Sequence, residues 1–395
     1  MTTNYKILGQ TTPTAATETL HYTVPSATSA MVKSINIANT SATADTYSIA
    51  ALPTVAPSLT FVATQDNNDT FAGYSTDGIT WTYNTSFDGT YQSSRSLIYG
   101  NNLFVALGRS STKAMSSSDG IIWTTRTLPV SAYWWGGAYG GGAYVGLGNN
   151  STIAVSSTDG ITWTQRTLPN AYWTSAAYGN SIFIAVAGYT TAAASSTDGI
   201  TWTERTMPSS SNWRTITYGS GLFLATVYNT TAAASSTDGI TWTLRTLPVQ
   251  SRWAGSAYGN GKFVVLGSYT GYAASSTDSI TWTSATMPSN NYWIGLAFAG
   301  SKFVAVSSYA GPGAYSTDGT TWTLTTMANS RWFQVVGAEQ NVTTQTNNYI
   351  AYSNTIAGNS TVSIKAGYTL GTGNGIRVKS TNGTSTFTTF GAEIS

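Results

Sequence analysis

The chain contains no cysteine and a single histidine in 395 residues. Without thiols there is no disulfide and no thiolate metal site, and cysteine usage says nothing of the redox compartment. His21 stands alone near the start, which excludes a histidine metal cluster and a Ser-His-Asp triad from the rest of the chain. Charge is scarce as well: charged residues make up 8%, against about 25% in ordinary globular proteins. With a net charge of +2, no strong field draws nucleic acid or an anionic membrane. No run of about 18 apolar residues is long enough to cross a bilayer. The opening Met1-Thr2-Thr3-Asn4-Tyr5-Lys6 lacks the apolar core of a signal peptide. A soluble protein, not exported by the general secretory route and not inserted in a membrane, is expected. No glycine motif that cradles phosphate sits between a strand and a helix, so no cofactor is expected.

Tyrosine, tryptophan, serine, threonine and glycine fill the space, a mixture that favours strands over helices. Ser196-Thr197-Asp198-Gly199-Ile200-Thr201-Trp202 recurs with small changes. Its tryptophans are Trp81, Trp123, Trp163, Trp202, Trp242, Trp282 and Trp322, spaced by 42, 40, 39, 40, 40 and 40 residues. A fixed period near 40 with four short strands per unit predicts a β-propeller. In the unit around Trp202, strand a is Trp173 to Tyr178 and strand b is Ile182 to Val186. Strand c is Ala192 to Ser196, and strand d is Ile200 to Thr203. Asp-Gly between c and d predicts a tight type I′ hairpin turn with both central residues at positive φ. The matching aspartates are Asp77, Asp119, Asp159, Asp198, Asp238, Asp278 and Asp318, and their role is read as structural. Ser279 replaces the glycine in one copy, where a slightly strained or different turn is expected.

All fourteen tryptophans fall in the repeats. Besides the seven after the turn, Trp134, Trp173, Trp213, Trp253, Trp293 and Trp332 open strand a. Trp135 is the remaining one, and Ser94 takes the matching place in another unit. Burying one tryptophan is worth about 4–6 kcal/mol as an upper bound. Two per unit suffice for most of the adhesion between blades, so a structural role is expected.

Leu59-Thr60-Phe61-Val62-Ala63 is a strand b with no strand a before it. Trp332-Phe333-Gln334-Val335-Val336-Gly337 is a strand a with no strand b after it. Together they complete one blade, making seven in all and closing the ring without exposed edges. The expected architecture is therefore all-β, with a seven-bladed propeller at residues 59–338. The flanks carry short strand patterns: three before the repeats and four after, seven in all. Because the propeller ends must meet, residues 1–58 and 339–395 are expected to be two halves of one β-sandwich interrupted by the propeller.

The repeated Ser-Thr-Asp-Gly-Ile-Thr-Trp resembles the Asp-box of sialidase-like propellers, with one residue fewer between Asp and Gly. It covers about 280 of the 395 residues. The shortened array is also similar to repeats in tailed-phage fibre and other virion proteins. Tyr5-Lys6-Ile7-Leu8-Gly9-Gln10, Tyr22-Thr23-Val24-Pro25-Ser26 and Ile35-Asn36-Ile37-Ala38-Asn39-Thr40 look like a small phage β-sandwich, as do Tyr349 to Tyr352 and Ile356 to Asn359. The resemblance implies a virion structural protein on the exposed particle surface, in tail or capsid. Its β-sandwich would meet other virion proteins or further copies of this chain, and its propeller would adhere to host-surface polysaccharide.

Chemistry is harder to place. Two carboxylates on one site serve most glycosidases. Outside the seven turn aspartates stand Asp45, Asp66, Asp69, Asp88, Glu18, Glu204, Glu339 and Glu393. Arg126, Arg166, Arg205 and Arg245 recur three residues after a turn tryptophan, as a regular surface strand position does. A non-catalytic protein is expected, with a glycosidase as the least favoured reading and a non-binding decoration or baseplate component as the intermediate one. For binding, the face opposite the Asp-Gly turns is the candidate. Its b–c loops carry Tyr189, Tyr228, Tyr269 and Tyr309. Its d–a loops carry Tyr133, Tyr172, Tyr292, Arg252 and Arg331. Aromatic faces among Asn, Ser and Thr suit neutral saccharides, and tyrosines with arginines also suit protein partners.

Overall fold

The computed structural model describes residues 6–11, 19–23, 29–52, 58–65, 72–84, 94–309, 311–328, 330–340, 349–357, 359–370, 375–380 and 385–394. Glu18, Asp66, Asp69 and Asp88 lie outside the described residues. The chain is all-β and divides into two compact units, residues 59–340 and residues 1–58 with 341–395.

The larger unit is a β-propeller. Its strands pair antiparallel in blades of four: the described strands form three separate four-stranded sheets, and a seven-stranded and a six-stranded sheet that each hold two blades. Blade 1 orders Trp332–Gln340, Ser58–Gln65, Ala72–Ser75 and Thr82–Asn84, so its strand a comes from the far end of the repeats. Blade 2 runs from Ser94–Gly100 to Thr124–Ala132. Blades 3 and 4, and blades 5 and 6, are joined by continuous strands. Thr164–Gly179 is strand d of blade 3 and strand a of blade 4, and Thr243–Gly259 does the same for blades 5 and 6. Blade 7 orders Trp293–Ala299, Lys302–Ser307, Ala314–Ser316 and Thr323–Leu324.

Alternation along each strand sends apolar side chains into the spaces between blades. Seven buried clusters result, each joining one blade to the next. Phe61, Trp81 and Trp332 of blade 1 share one with Val304 and Val306 of blade 7, which closes the ring. Gln65 donates to the Ser330 hydroxyl at 2.8 Å, and Thr326 N–H donates to the Ile79 carbonyl at 3.0 Å across the same seam. The six strand-a tryptophans Trp134, Trp173, Trp213, Trp253, Trp293 and Trp332 are fully buried. Five of them donate the indole N–H to a nearby carbonyl, as Trp173 does to Pro169 at 3.1 Å, which removes most of the polar cost of burial; the Trp253 nitrogen has no such partner.

The c–d turn differs from the two-residue hairpin expected. Gly199 has φ +70°, but Asp198 is not at positive φ, which rules out type I′. Instead the aspartate organises a longer loop. Its Oδ1 accepts the Ile200 and Thr201 amides at 2.8 and 2.9 Å and the Ser196 hydroxyl at 2.9 Å. Ser196 Oγ in turn accepts the Gly199 amide at 2.9 Å. All seven aspartates accept two such amides. The loop consumes Ile200 and Thr201, so strand d begins at Thr203 rather than Ile200 and extends to Ser211. Ser279 holds the glycine's conformation at φ +62°, and Asp278 keeps both its amides, so the turn type is retained with a strained residue inside it. The amides of Thr162, Thr241 and Thr281, seconded by those of Ile161, Ile240 and Ile280, hold the Asp159, Asp238 and Asp278 carboxyls down to about 2.

Arg126, Arg166, Arg205 and Arg245 each donate Nε to a strand-c serine, Ser116, Ser156, Ser195 and Ser235, at 2.8–2.9 Å. They tie strand d to strand c.

The smaller unit contains two four-stranded antiparallel sheets. One orders Lys6–Thr11, Ser385–Ile394, Ser29–Asn39 and Ser360–Leu370; the other orders Thr19–Thr23, Gly375–Ser380, Asp45–Leu52 and Tyr349–Ile356. Every hydrogen-bonded neighbour pair in these sheets joins the first segment to the last. The described residues of this unit form eight strands rather than seven: Lys6–Thr11 pairs at an edge with Ser385–Ile394. Ile35 and Ile37 are fully buried.

Candidate functional site

Each strand a begins with a residue buried between blades, and the next residue faces the axis. Read round the ring, these second positions are Arg95, Trp135, Thr174, Arg214, Ala254, Ile294 and Phe333. All seven line one axial cavity of about 140 Å³. Two are arginines, and no Asp or Glu is among its described lining residues.

The two guanidiniums flank one ring. The Arg95 guanidinium carbon is 4.4 Å from the centre of Trp135 and that of Arg214 is 4.9 Å from it. Arg95 also lies 4.5 Å from Phe333, whose ring meets Trp135 edge-on at 6.1 Å. Such contacts contribute about 0.5–2 kcal/mol each. Burial pulls the Arg214 guanidinium below its ordinary pKa, and the Arg95 charge adds to this; Tyr228, Tyr189 and Tyr133 oppose it.

The candidate tyrosines sit at the b–c end of the blades. Strand c, seven residues in Thr190–Ser196, separates them from the aspartate turns by roughly 23 Å. Tyr189, Tyr269 and Tyr309 are 75%, 45% and 64% exposed, and Tyr228 is half-buried. Tyr189 and Tyr269 adopt φ of +63° and +66°, a conformation that costs energy in a bulky residue. The structure brings three of the four together. Arg252 lies 6.0 Å from the Tyr228 ring and 4.8 Å from Tyr269. Tyr292 lies edge-on to Tyr269 and 6.2 Å from Tyr309. Tyr189 pairs instead with Tyr172 at 6.2 Å. Arg214, 5.8 Å from Tyr228, joins this run to the axial cavity. Arg109 and Arg95 continue it to Tyr133, at 4.5 and 5.8 Å. Of the positions expected in d–a loops, Tyr172 and Arg252 lie within the continuous strands Thr164–Gly179 and Thr243–Gly259. Arg331 is exposed just before Trp332–Gln340.

Sequence reasoning passed over Arg95, Trp135 and Arg214. The signal was present: the position after the strand-a opener holds a different side chain in every unit except for the shared arginine, while the positions around it repeat. Among the described residues, no three His, Asp or Glu side chains cluster as metal ligands do. Asp45 is buried in the smaller unit, and Glu204 is exposed on strand d of blade 4.

No family model matches the chain, and no curated protein matches it by sequence. Solved structures do. A streptogramin B lyase is similar over 72% of this chain and 93% of its own, with 12% identity and a TM-score of 0.57. The virginiamycin B lyase of Staphylococcus aureus is similar over 72% of this chain and 94% of its own, with 14% identity and a TM-score of 0.56. At such identity the likeness is one of fold alone, and the fold it supports is the β-propeller.

Proposed function

We propose that the chain is a structural protein of a tailed-phage virion, attached to the particle through its two-sheet unit and adhering through its propeller to host-surface glycan. One observation supports the binding part most: the unbroken run Arg214–Tyr228–Arg252–Tyr269–Tyr292–Tyr309, which crosses from the axis over neighbouring blades. Exposed tyrosines held by their neighbours are pre-ordered platforms for sugar rings, and ordering them costs little at the moment of binding. The strained φ of Tyr189 and Tyr269 fits a position kept for recognition. The virion part rests on the sequence resemblance of the repeats and flanks to phage proteins. The scarcity of carboxylates away from the structural turns supports binding over hydrolysis.

The test is a glycan array probed with the intact chain, together with adsorption to host cells. Binding that is lost when Tyr189, Tyr228, Tyr269 and Tyr309 are replaced by alanine supports the reading. No binding to any glycan or cell would leave the non-binding decoration or baseplate role. Cleavage of the polysaccharide would replace adhesion with glycoside hydrolysis.

A further inference from the structure

We infer that the smaller unit is gated by the propeller: its sheets form only once the strand pair that completes blade 1 has formed, so a chain with an open or unfinished ring has no attachment unit to offer the particle. The coupling stands on strand order alone; its consequence for the particle rests on the attachment reading above.

The two segments of the smaller unit alternate strictly. In both sheets, each described strand from residues 6–52 has only strands from residues 349–394 as hydrogen-bonded neighbours, and the reverse holds. Ser29–Asn39 lies between Ser360–Leu370 and Ser385–Ile394, with Ala30 opposite Leu370 on one side and Glu393 on the other. Asp45–Leu52 lies likewise between Tyr349–Ile356 and Gly375–Ser380. Among the described strands, then, neither segment forms a hairpin of its own. A segment by itself presents amides and carbonyls whose partners all lie in the other segment, and unpaired strands make no sheet.

The partners are distant in sequence: Lys6 stands opposite Gly391, and Ile35 opposite Ile364. Blade 1 brings them within reach. Its strands Trp332–Gln340 and Ser58–Gln65 are neighbours, and the hydrogen bond from Gln65 to Ser330 sets the end of the second beside the start of the first. Ser58 and Gln340 therefore stand together at the other end of the pair. With the pair formed, the chain that must loop between Leu52 and Tyr349 falls from residues 53–348 to residues 53–57 and 341–348. For a flexible chain that shortening favours the pairing of Asp45–Leu52 with Tyr349–Ile356 on the order of a hundredfold. The dependence also works backwards, because a coupling free energy is shared: sheets that hold the two segments together also hold the blade 1 pair. Synthesis gives the process a direction. Trp332–Gln340 is made before residues 349–394, so closure of the ring precedes completion of the second segment.

Hydrogen–deuterium exchange, read peptide by peptide on the intact chain, tests the coupling. Trp332→Ala loosens blade 1, and Trp213→Ala removes the matching tryptophan of blade 5 while leaving the blade 1 pair in place. Exchange in Ser29–Asn39 and Ser360–Leu370 should rise about tenfold or more with Trp332→Ala and change less than about twofold with Trp213→Ala. Should Trp332→Ala fail to fold, the unaltered chain in rising urea decides: the smaller unit should lose protection together with Ser58–Gln65 and Trp332–Gln340. A smaller unit that stays protected after blade 1 has opened, in the variant or in urea, overturns the gating. So does its loss of protection with Trp213→Ala while blade 1 stays protected. Phage particles assembled without this chain are the second probe. The unaltered chain should mount on them, and Trp332→Ala should not. Coupled exchange with neither chain mounting overturns the attachment reading and leaves the gating standing. Equal mounting by both, with the smaller unit of the variant open, overturns attachment through that unit. Mounting without coupled exchange overturns the gating alone.

Discussion

The ring of Tyr218 occupies the space where a β-carbon on Gly179 would lie. Gly179 ends strand a of blade 4, and Tyr218 stands one place before the matching glycine of blade 5. The same relation joins Gly100 to Tyr139, Gly140 to Tyr178, Gly219 to Tyr258 and Gly259 to Phe298. Each aromatic ring then leans on the first phenylalanine or tyrosine of its own strand b, as Tyr218 does on Phe223 at 4.8 Å. Where the following unit offers Gly337 instead of a ring, the glycine position holds Ala299, 2.6 Å from where a β-carbon on Gly337 would lie. The pairing is thus a size exchange repeated between blades.

Gly179→Ala should therefore destabilise the propeller by about 1–3 kcal/mol, the usual range for overpacking. A denaturant titration measures it. The double variant Gly179→Ala with Tyr218→Val should recover part of the loss, and no recovery would show that the ring is not what excludes the methyl.

Closure of the ring should concentrate at Trp332. It is fully buried, its indole donates to the Ala328 carbonyl at 2.9 Å, and Tyr83 stacks on it at 5.7 Å. Trp332→Ala should cost about 3–5 kcal/mol. Trp202, half-buried and with no partner for its indole nitrogen, should cost less on the same change. Equal losses would mean that the seam holds no special share of stability.

Acid should loosen the turns. The Asp159, Asp238 and Asp278 carboxyls are held down to about 2 in the fold, against 3.8 for the free side chain. Groups lowered on folding add stability that is complete above the unfolded pKa and is lost as pH falls through the folded one. Melting temperature should therefore hold above pH 5 and fall progressively between about pH 4 and pH 2. The triple variant with asparagine at all three positions should melt lower at neutral pH and show a shallower acid slope. An unchanged slope would assign acid sensitivity to other groups.

Alanine at Tyr189, Tyr228, Tyr269 and Tyr309 together should weaken glycan binding by tenfold or more, since buried tyrosine contacts are often worth over 1 kcal/mol each. Melting temperature should move little for the exposed Tyr189 and Tyr309. A matching fall in stability would mark these rings as structural.

Much of the propeller was legible because its signal is repeated. One Asp-Gly turn is weak evidence of a strand pair; the same turn at a fixed interval, with a tryptophan after each, leaves few other architectures. Individual strand ends were less legible. The Asp198 carboxylate captures the Ile200 and Thr201 amides, which a β-ladder would otherwise use, so strand d starts later than its hydrophobic pattern suggests. Thr164–Gly179 runs on through Tyr172, where a d–a loop was expected. Lys6–Thr11 was missed as a strand because an edge pairing needs little alternation of its own. In the site, tyrosines drew attention by recurring, whereas Arg95, Trp135 and Arg214 matter because they do not recur. Their meeting depends on closing a ring whose units lie more than a hundred residues apart in the chain.

Because each blade places a single side chain on the axis, the wall of the cavity works like a seven-wheel combination lock. A substitution at Thr174, Ala254 or Ile294 resets one wheel and leaves the glycine–aromatic joints that carry the ring untouched. Such a scaffold can change the chemistry of its axial wall one letter at a time, with no renegotiation of its architecture.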